Sequence, residues 1–179
     1  TRDAATFTLS ADGQAFRFFA GQFLSVGVEI DGRTHWRAYS ISSSPNRSDS
    51  LDITVKRVDG GLVSNWLLDH LLPGMKLPAL APAGEFGLDG RPLPQAVLLF
   101  SAGSGVTPMY AMSQHLLATR TEVEIHFFHS ARSEADFIFA SQLLALAAGQ
   151  QNFYLHLFLT RPEGGVDSHR GRLDAERLK

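Results

Sequence analysis

The segment LLFSAGSGVTP, residues 98–108, decides the fold. An apolar run from Ala96 to Phe100 breaks into Ser101-Ala102-Gly103-Ser104-Gly105-Val106-Thr107-Pro108. A helical pattern then starts at Met109, with Met112, Leu116 and Leu117 on the same face. Strand, glycine turn and helix in that order let backbone approach a phosphate, with N–H groups and the positive helix end turned toward it. The same layout also serves as a plain tight connection, because glycine takes up sharp turns without steric cost. Pro108 falls where the first turn of a helix tolerates a missing N–H.

Beyond this turn the hydrophobic period alternates between strand and helix. Residues 123–128 read as a strand, residues 134–147 as a helix carrying Phe137, Ile138, Leu143 and Leu144, and residues 153–160 as a third strand. Such alternation predicts a parallel sheet with helices packed on it, and a ligand crevice at the carboxyl ends of the strands. Before the turn the pattern is that of short strands. They cover residues 6–9, 15–19 after an Asp12-Gly13 turn, 23–30 up to Asp31-Gly32, 35–41 and 51–58. A short helix is expected after Gly60-Gly61, capped by Ser64 or Asn65, with Trp66, Leu67, His70 and Leu71 along one face and Pro73-Gly74 closing it. A further strand is read at residues 76–81. Turns at this spacing predict a small antiparallel barrel or sandwich. Asp89-Gly90-Arg91-Pro92-Leu93-Pro94 is the best linker, so the boundary is placed between a domain of residues 1–91 and one of residues 92–179.

Composition bounds what the chain does. Its 179 residues are 44% apolar, enough for a sizeable core. The formal charge is −2 and Lys and Arg are scattered, so no nucleic-acid surface is indicated. There is no cysteine, which excludes a disulfide framework, a thiolate zinc site or an iron–sulfur cluster within these residues, and no metal site is expected. No apolar run reaches the roughly 18 residues of a membrane span. The expected location is the cytoplasm.

Two further stretches carry candidate chemistry. Gly60-Gly61-Leu62-Val63-Ser64-Asn65 is a second glycine turn before a helix start, open to an anion site or to an ordinary turn and cap. Arg37-Ala38-Tyr39-Ser40 places Arg37 and Tyr39 on one strand face and Ala38 and Ser40 on the other. A charge beside an aromatic ring suits a phosphate next to a flat ring system, and equally an exposed strand face.

Arg37-Ala38-Tyr39-Ser40, Gly61-Leu62-Val63-Ser64, Pro82-Ala83-Gly84-Glu85-Phe86 and Gly103-Ser104-Gly105-Val106-Thr107-Pro108 occur in the order and rough spacing of one family. From about Thr6 to Leu173 the chain resembles the ferredoxin–NADP reductases, FAD-dependent electron transferases. The resemblance implies a six-stranded antiparallel FAD-binding barrel followed by an α/β, parallel-sheet domain that binds NADH or NADPH. It implies that Arg37 meets the FAD pyrophosphate, that Tyr39 packs on the isoalloxazine ring, that Ser40 hydrogen-bonds near flavin N5 and that Ala38 belongs to the same cofactor-binding stretch. Gly61, Leu62, Val63 and Ser64 would hold the pyrophosphate at a helix start, with Val55, Lys56, Arg57 and Val58 on the strand that borders the flavin. Gly103, Ser104, Gly105, Thr107 and Pro108 would hold the nicotinamide nucleotide, with Thr107 near the site of hydride transfer.

The catalytic set implied is therefore Tyr39, Ser40 and Thr107, and the mechanism is hydride passage from nicotinamide to flavin followed by single-electron release. Arg132, in His129-Ser130-Ala131-Arg132, lies where the family contacts the adenosine ribose, and it leaves NADH and NADPH both open. The histidines, His35, His115, His126, His129 and His169 among them, read as surface or packing residues. The implied acceptor is a protein or a fused domain: an iron–sulfur protein, a flavodoxin, an oxygenase or a haem domain. A flavohaemoglobin reductase portion is the alternative enzyme, suggested by Gly60 to Asn65, and a non-catalytic flavin- or nucleotide-binding module is the alternative class. Two departures from the family are expected to matter. The first barrel strand is largely missing before Thr6, and the late Cys-Gly-Pro segment is absent, so the second domain is expected to be incomplete at its C-terminus.

Overall fold

The computed structural model describes residues 1, 3–11, 13–47, 49–88, 92–162 and 168–171. The first half holds four antiparallel strands: β1 (Ala4–Ser10), β2 (Phe23–Ile30), β3 (Arg33–Ser40) and β4 (Ser50–Lys56). β1 pairs with β4 and β2 with β3, and an isolated bridge between Ile41 and Ile53 links the two pairs. β2 and β3 form a tight hairpin because Asp31 and Gly32 both take positive φ, 50° and 72°, which matches the twist of the strands they join. Leu24, Val26, Ile41, Leu51, Ile53 and Val55 fill the core between the pairs, and helix α1 (Leu62–His70) adds Val63 and Leu67.

The second half is a parallel sheet in the order β5 (Ala96–Ala102), β6 (Glu124–Ala131), β7 (Phe153–Leu159) and the short β8 (His169–Arg170). Helices α2 (Val106–Thr119) and α3 (Ala140–Gly149) supply the crossovers. Their core with the sheet is Val97, Leu99, Ile125, Phe127, Leu157 and Leu159 against Val106, Met112, Leu116 and Leu143.

Several elements differ from the sequence reading for identifiable reasons. Residues 15–19 keep the alternating burial, Phe18 inward and Phe19 outward, yet form no strand, since no described strand pairs with them in a ladder. Residues 76–81 also form no strand. Pro78 and Pro82 lack N–H groups, so this segment meets β2 only through bridges at Ala79–Val26 and Ala83–Phe23. Among the described residues the regular ladders of the first half are thus four strands, where a six-stranded barrel is expected. α1 begins at Gly61 as cap, with no side-chain cap from Ser64 or Asn65, and it buries Val63, Ser64 and Leu67 while Trp66 and His70 stack on its flank.

The expected helix over residues 134–147 is broken. A single 3-10 turn (Glu134–Asp136) is followed by Phe139 at φ 64°, and only then by α3. Three successive apolar residues, Phe137, Ile138 and Phe139, all pack on the core, which one continuous helical face does not allow. α2 starts three residues before the expected Met109. Of the linker, Asp89, Gly90 and Arg91 lie outside the described residues, and Leu93 packs on the second core.

The halves touch through specific contacts. Gln114 Nε2 on α2 donates to the Ser42 carbonyl at 3.2 Å, and His115 Nδ1 lies 3.2 Å from Asn46 Oδ1. Gly21 sits at the same seam with φ 104°, and a Cβ there would lie 2.1 Å from the Phe86 carbonyl oxygen and 2.4 Å from Met112 Cε. The Met112 end can swing away but the Phe86 backbone cannot. Gly21→Ala is therefore expected to lower unfolding free energy by roughly 3 kcal/mol, from positive φ and overpacking together, as measured by urea denaturation.

Candidate functional site

A cleft of about 670 Å³ opens between the halves. From β3 it is lined by Arg37, Ala38, Tyr39 and Ser40, and from β4 by Thr54 and Lys56. The start of α1 contributes residues 60–64 and Val58 precedes it; the start of α2 contributes Ser104, Gly105, Thr107 and Pro108. α1 begins here without a side-chain cap or an acidic residue in its first turn, so its first amides have no intrahelical acceptor; α2 likewise lacks both, but it runs on from the Gly103–Gly105 turn, whose Gly103 and Ser104 carbonyls take the Val106 amide. Two positive helix ends thus face one space.

The glycines make that approach possible. A Cβ on Gly61 would lie 2.5 Å from Ser64 Oγ and 2.9 Å from Val58 Cβ, so the turn before α1 closes only around a bare backbone. Gly103 has φ 52° and begins a 3-10 turn that runs into α2, and neither Gly103 nor Gly105 would carry a Cβ against anything. The open space over both is what a ligand's phosphate needs. Thr107 is buried and its hydroxyl donates to the Ser104 carbonyl at 3.0 Å, which fixes the turn.

Charge in the cleft is positive. Arg37 donates to the Trp36 carbonyl at 2.7 Å and has no carboxylate partner among the described residues. Burial raises the Tyr39 phenol above its ordinary range, opposed by the nearby Arg37 guanidinium, so the ring is a neutral hydrogen-bonding group at physiological pH. These residues fit a flavin dinucleotide: a free guanidinium and uncapped amides for the pyrophosphate, and a half-buried aromatic for a flat ring.

A second cleft of about 600 Å³ lies at the carboxyl ends of the parallel strands. Ser101 and Ala102 end β5 and Gly103 follows it, Ser130 and Ala131 end β6 and Arg132 follows it, and Thr160 follows β7. Lys56 lines both clefts. The expected site residues thus fall into two adjoining groups, with Gly103 and Arg132 in the second. Val55 stands apart. The two-residue period of β4 turns its side chain into the core, between Thr54 and Lys56, which reach the cleft.

Sequence reasoning missed Thr54, Ser101 and Asp136. Thr54 was legible from its alternation with Lys56. Asp136 was signalled by Ser133, three residues earlier, whose hydroxyl donates to it at 3.1 Å. Among the described residues no group of His, Cys, Asp and Glu is arranged to hold a metal ion.

His129 is fully buried behind the second cleft, stacked on Phe137, with Nδ1 2.9 Å from Ser101 Oγ and Nε2 without a partner. Burial pushes its imidazole down to about 4.

The comparisons agree across both halves. Residues 1–87 match the family model described as an oxidoreductase FAD-binding domain, and residues 99–179 the one described as an oxidoreductase NAD-binding domain. The chain is 43% identical to the glycine betaine monooxygenase reductase subunit of Pseudomonas aeruginosa, over 100% of its own length and 50% of the relative's. It is 37% identical to ferredoxin–NADP reductase B of Sorangium cellulosum, over 92% of its length and 67% of the relative's. The flavohaem-like FAD/NAD-binding domain of a Vibrio cholerae nitric oxide dioxygenase superposes with a TM-score of 0.87 at 28% identity, covering 99% of this chain and 76% of that one. The chain spans about half the length of most of the curated relatives it matches.

The buried imidazole sets a pH dependence. An unfolded histidine takes its proton near pH 6.5, whereas His129 resists until about 4. Its contribution is therefore full above pH 6.5 and is lost as pH falls toward 4, by about 3 kcal/mol in total. His129→Asn, which keeps a donor toward Ser101, is expected to flatten that acid limb in urea unfolding measured from pH 7 to 4.

Proposed function

The chain belongs to the ferredoxin–NADP reductase family of FAD- and NAD-binding oxidoreductases, and from that premise we propose that it is the reductase of an electron-transfer system, feeding a protein acceptor. FAD bound in the first cleft supplies the exchange between a two-electron donor, NADH or NADPH, and a one-electron acceptor. The chain's own residues bind and orient. Arg37 and the amides of Leu62, Val63 and Ser64 hold the pyrophosphate, while Tyr39 covers the ring system and Ser40 presents a hydroxyl to its redox edge. The start of α2, with Gly103, Ser104, Gly105, Thr107 and Pro108, receives the nicotinamide nucleotide. Arg132 receives its adenosine end in the second cleft. Lys56 stands between the two.

The observation that carries this reading is the meeting of two helix starts without side-chain caps and two cations on one cleft. The domain boundary is proposed at residues 91–92, supported by the prolines and glycine around it. The proposed acceptor is an oxygenase component reached through an iron–sulfur group, supported by the 43% identity to an oxygenase reductase subunit. The flavohaemoglobin reading rests on Gly60 to Asn65, on the Vibrio likeness and on 39% identity to a flavohaemoprotein over 82% of this chain, and it ranks second to the oxygenase reductase at 43% over 100%. Among the described residues no helix is long and apolar enough to cross a membrane. The proposed compartment is the cytoplasm, where reduced nicotinamide nucleotides are available.

The test is flavin binding and reduction. Purified chain is expected to bind FAD and to reduce an artificial acceptor with NADH or NADPH. A protein that stays colourless after incubation with FAD refutes the reading. Arg37→Ala is expected to weaken FAD retention about tenfold, the scale of one charge-assisted phosphate contact, as read from flavin content after dialysis.

A further inference from the structure

The second cleft holds two cations and one anion, and the anion occupies both cations. Arg132 Nη2 donates to Asp136 Oδ1 at 3.3 Å, and Lys56 Nζ lies 4.0 Å from the same oxygen. Oδ2 accepts from Ser133 Oγ at 3.1 Å, and the Asp136 amide donates to the Ser133 carbonyl at 3.1 Å. The carboxylate is thereby fixed on both oxygens, with its side chain 23% exposed. Arg132 is 66% exposed, so when a ligand enters it is the arginine that moves and the carboxylate that stays. Sequence order reinforces the geometry. Arg132 and Asp136 are anchored by one short turn after β6, whereas Lys56 reaches in from β4 of the other half.

We propose that Asp136 is the specificity-determining residue of this cleft, favouring a nicotinamide nucleotide with a free ribose 2′-hydroxyl over one with a 2′-phosphate. This rests on the reading that the cleft takes the adenosine end of the nucleotide. A 2′-phosphate must draw Arg132 away from Asp136 and then sit beside an unmoved carboxylate of like charge. A 2′-hydroxyl meets no such opposition, and it can donate a hydrogen bond to the same carboxylate. The cleft thus carries a phosphate-binding arginine together with a group that holds that arginine back.

The competing account makes Asp136 only the clasp of its turn, so the measurement must read charge discrimination and not stability. Binding of adenosine 5′-monophosphate and adenosine 2′,5′-bisphosphate to the purified full chain by titration calorimetry gives that ratio directly. Asp136→Asn is expected to tighten the bisphosphate about tenfold and, because the 2′-hydroxyl loses a charged acceptor, to weaken the monophosphate a few-fold. Asp136→Glu, which keeps the charge, is expected to hold the wild-type ratio, and Arg132→Ala to weaken the bisphosphate alone. Asp136→Ser, which keeps an acceptor beside Ser133 without the charge, is expected to shift the ratio as Asn does and serves if the Asn variant does not fold. Equal changes for both nucleotides in the uncharged variants overturn the inference alone. Absence of binding by either nucleotide to any form overturns the reading of the cleft and the inference with it.

Discussion

The starts of α1 and α2 turn their positive ends toward one cleft between two separately built cores, and neither carries a side-chain cap. That constraint orders the rest. α1 starts there because β4 ends at Lys56 and Gly61 lets the chain turn tightly over Val58 and Ser64. α2 starts there because β5 ends at Ala102 and the Gly103–Gly105 turn redirects the chain without side chains in the way. Neither start is useful unless the halves keep their relative position. That position is held by α2 itself, through Gln114 and His115 to the loop after β3, and by the close approach at Gly21.

Legibility in the sequence followed how local the cause was. The Asp31-Gly32 hairpin was readable because positive φ at two successive residues is a property of those residues alone. The strand, turn and helix around Gly103 were readable for the same reason, and the grouping of Arg37, Tyr39, Ser40, Gly61 and Thr107 followed from motif order. What escaped depended on partners distant in the chain. Alternation at residues 15–19 reported burial correctly but did not say whether another strand would pair with them. The break at Phe139 escaped because helix periodicity continues through it. Tyr110, across on α2, stacks on Phe139 at 4.3 Å, a contact that the local pattern does not contain.

The two faces of the parallel sheet show another such limit. On the face under α2 and α3, β6 presents Ile125, Phe127, His129 and Ala131, all buried. On the opposite face Phe100, Phe128 and His156 stack in sequence, and His126 stacks on Tyr154. Leu98 and Phe100 on that face are exposed among the described residues. Both faces read as apolar in the strand pattern, so the sequence did not distinguish a surface covered by helices from one held by ring stacking. Burial on one side is enough to fix the strand register, and the register in turn sets Ala102, Ala131 and Leu159 at one end of the sheet, where the second cleft opens.

The chemistry available at the first cleft follows from what lines it. No histidine, aspartate or glutamate is among its lining residues, whose hydroxyl-bearing members are Tyr39, Ser40, Thr54, Ser64, Ser104 and Thr107, beside two cations and backbone. Burial raises the Tyr39 phenol and keeps it protonated and neutral. A site of that kind cannot cycle a proton through the protein as an acid–base pair does, and its contribution lies in holding charge and ring planes in fixed relation. Such a role tolerates a buried, neutral His129 one layer behind. There the imidazole meets Ser101 at the end of β5 and so steadies the strand end from which the α2 turn departs.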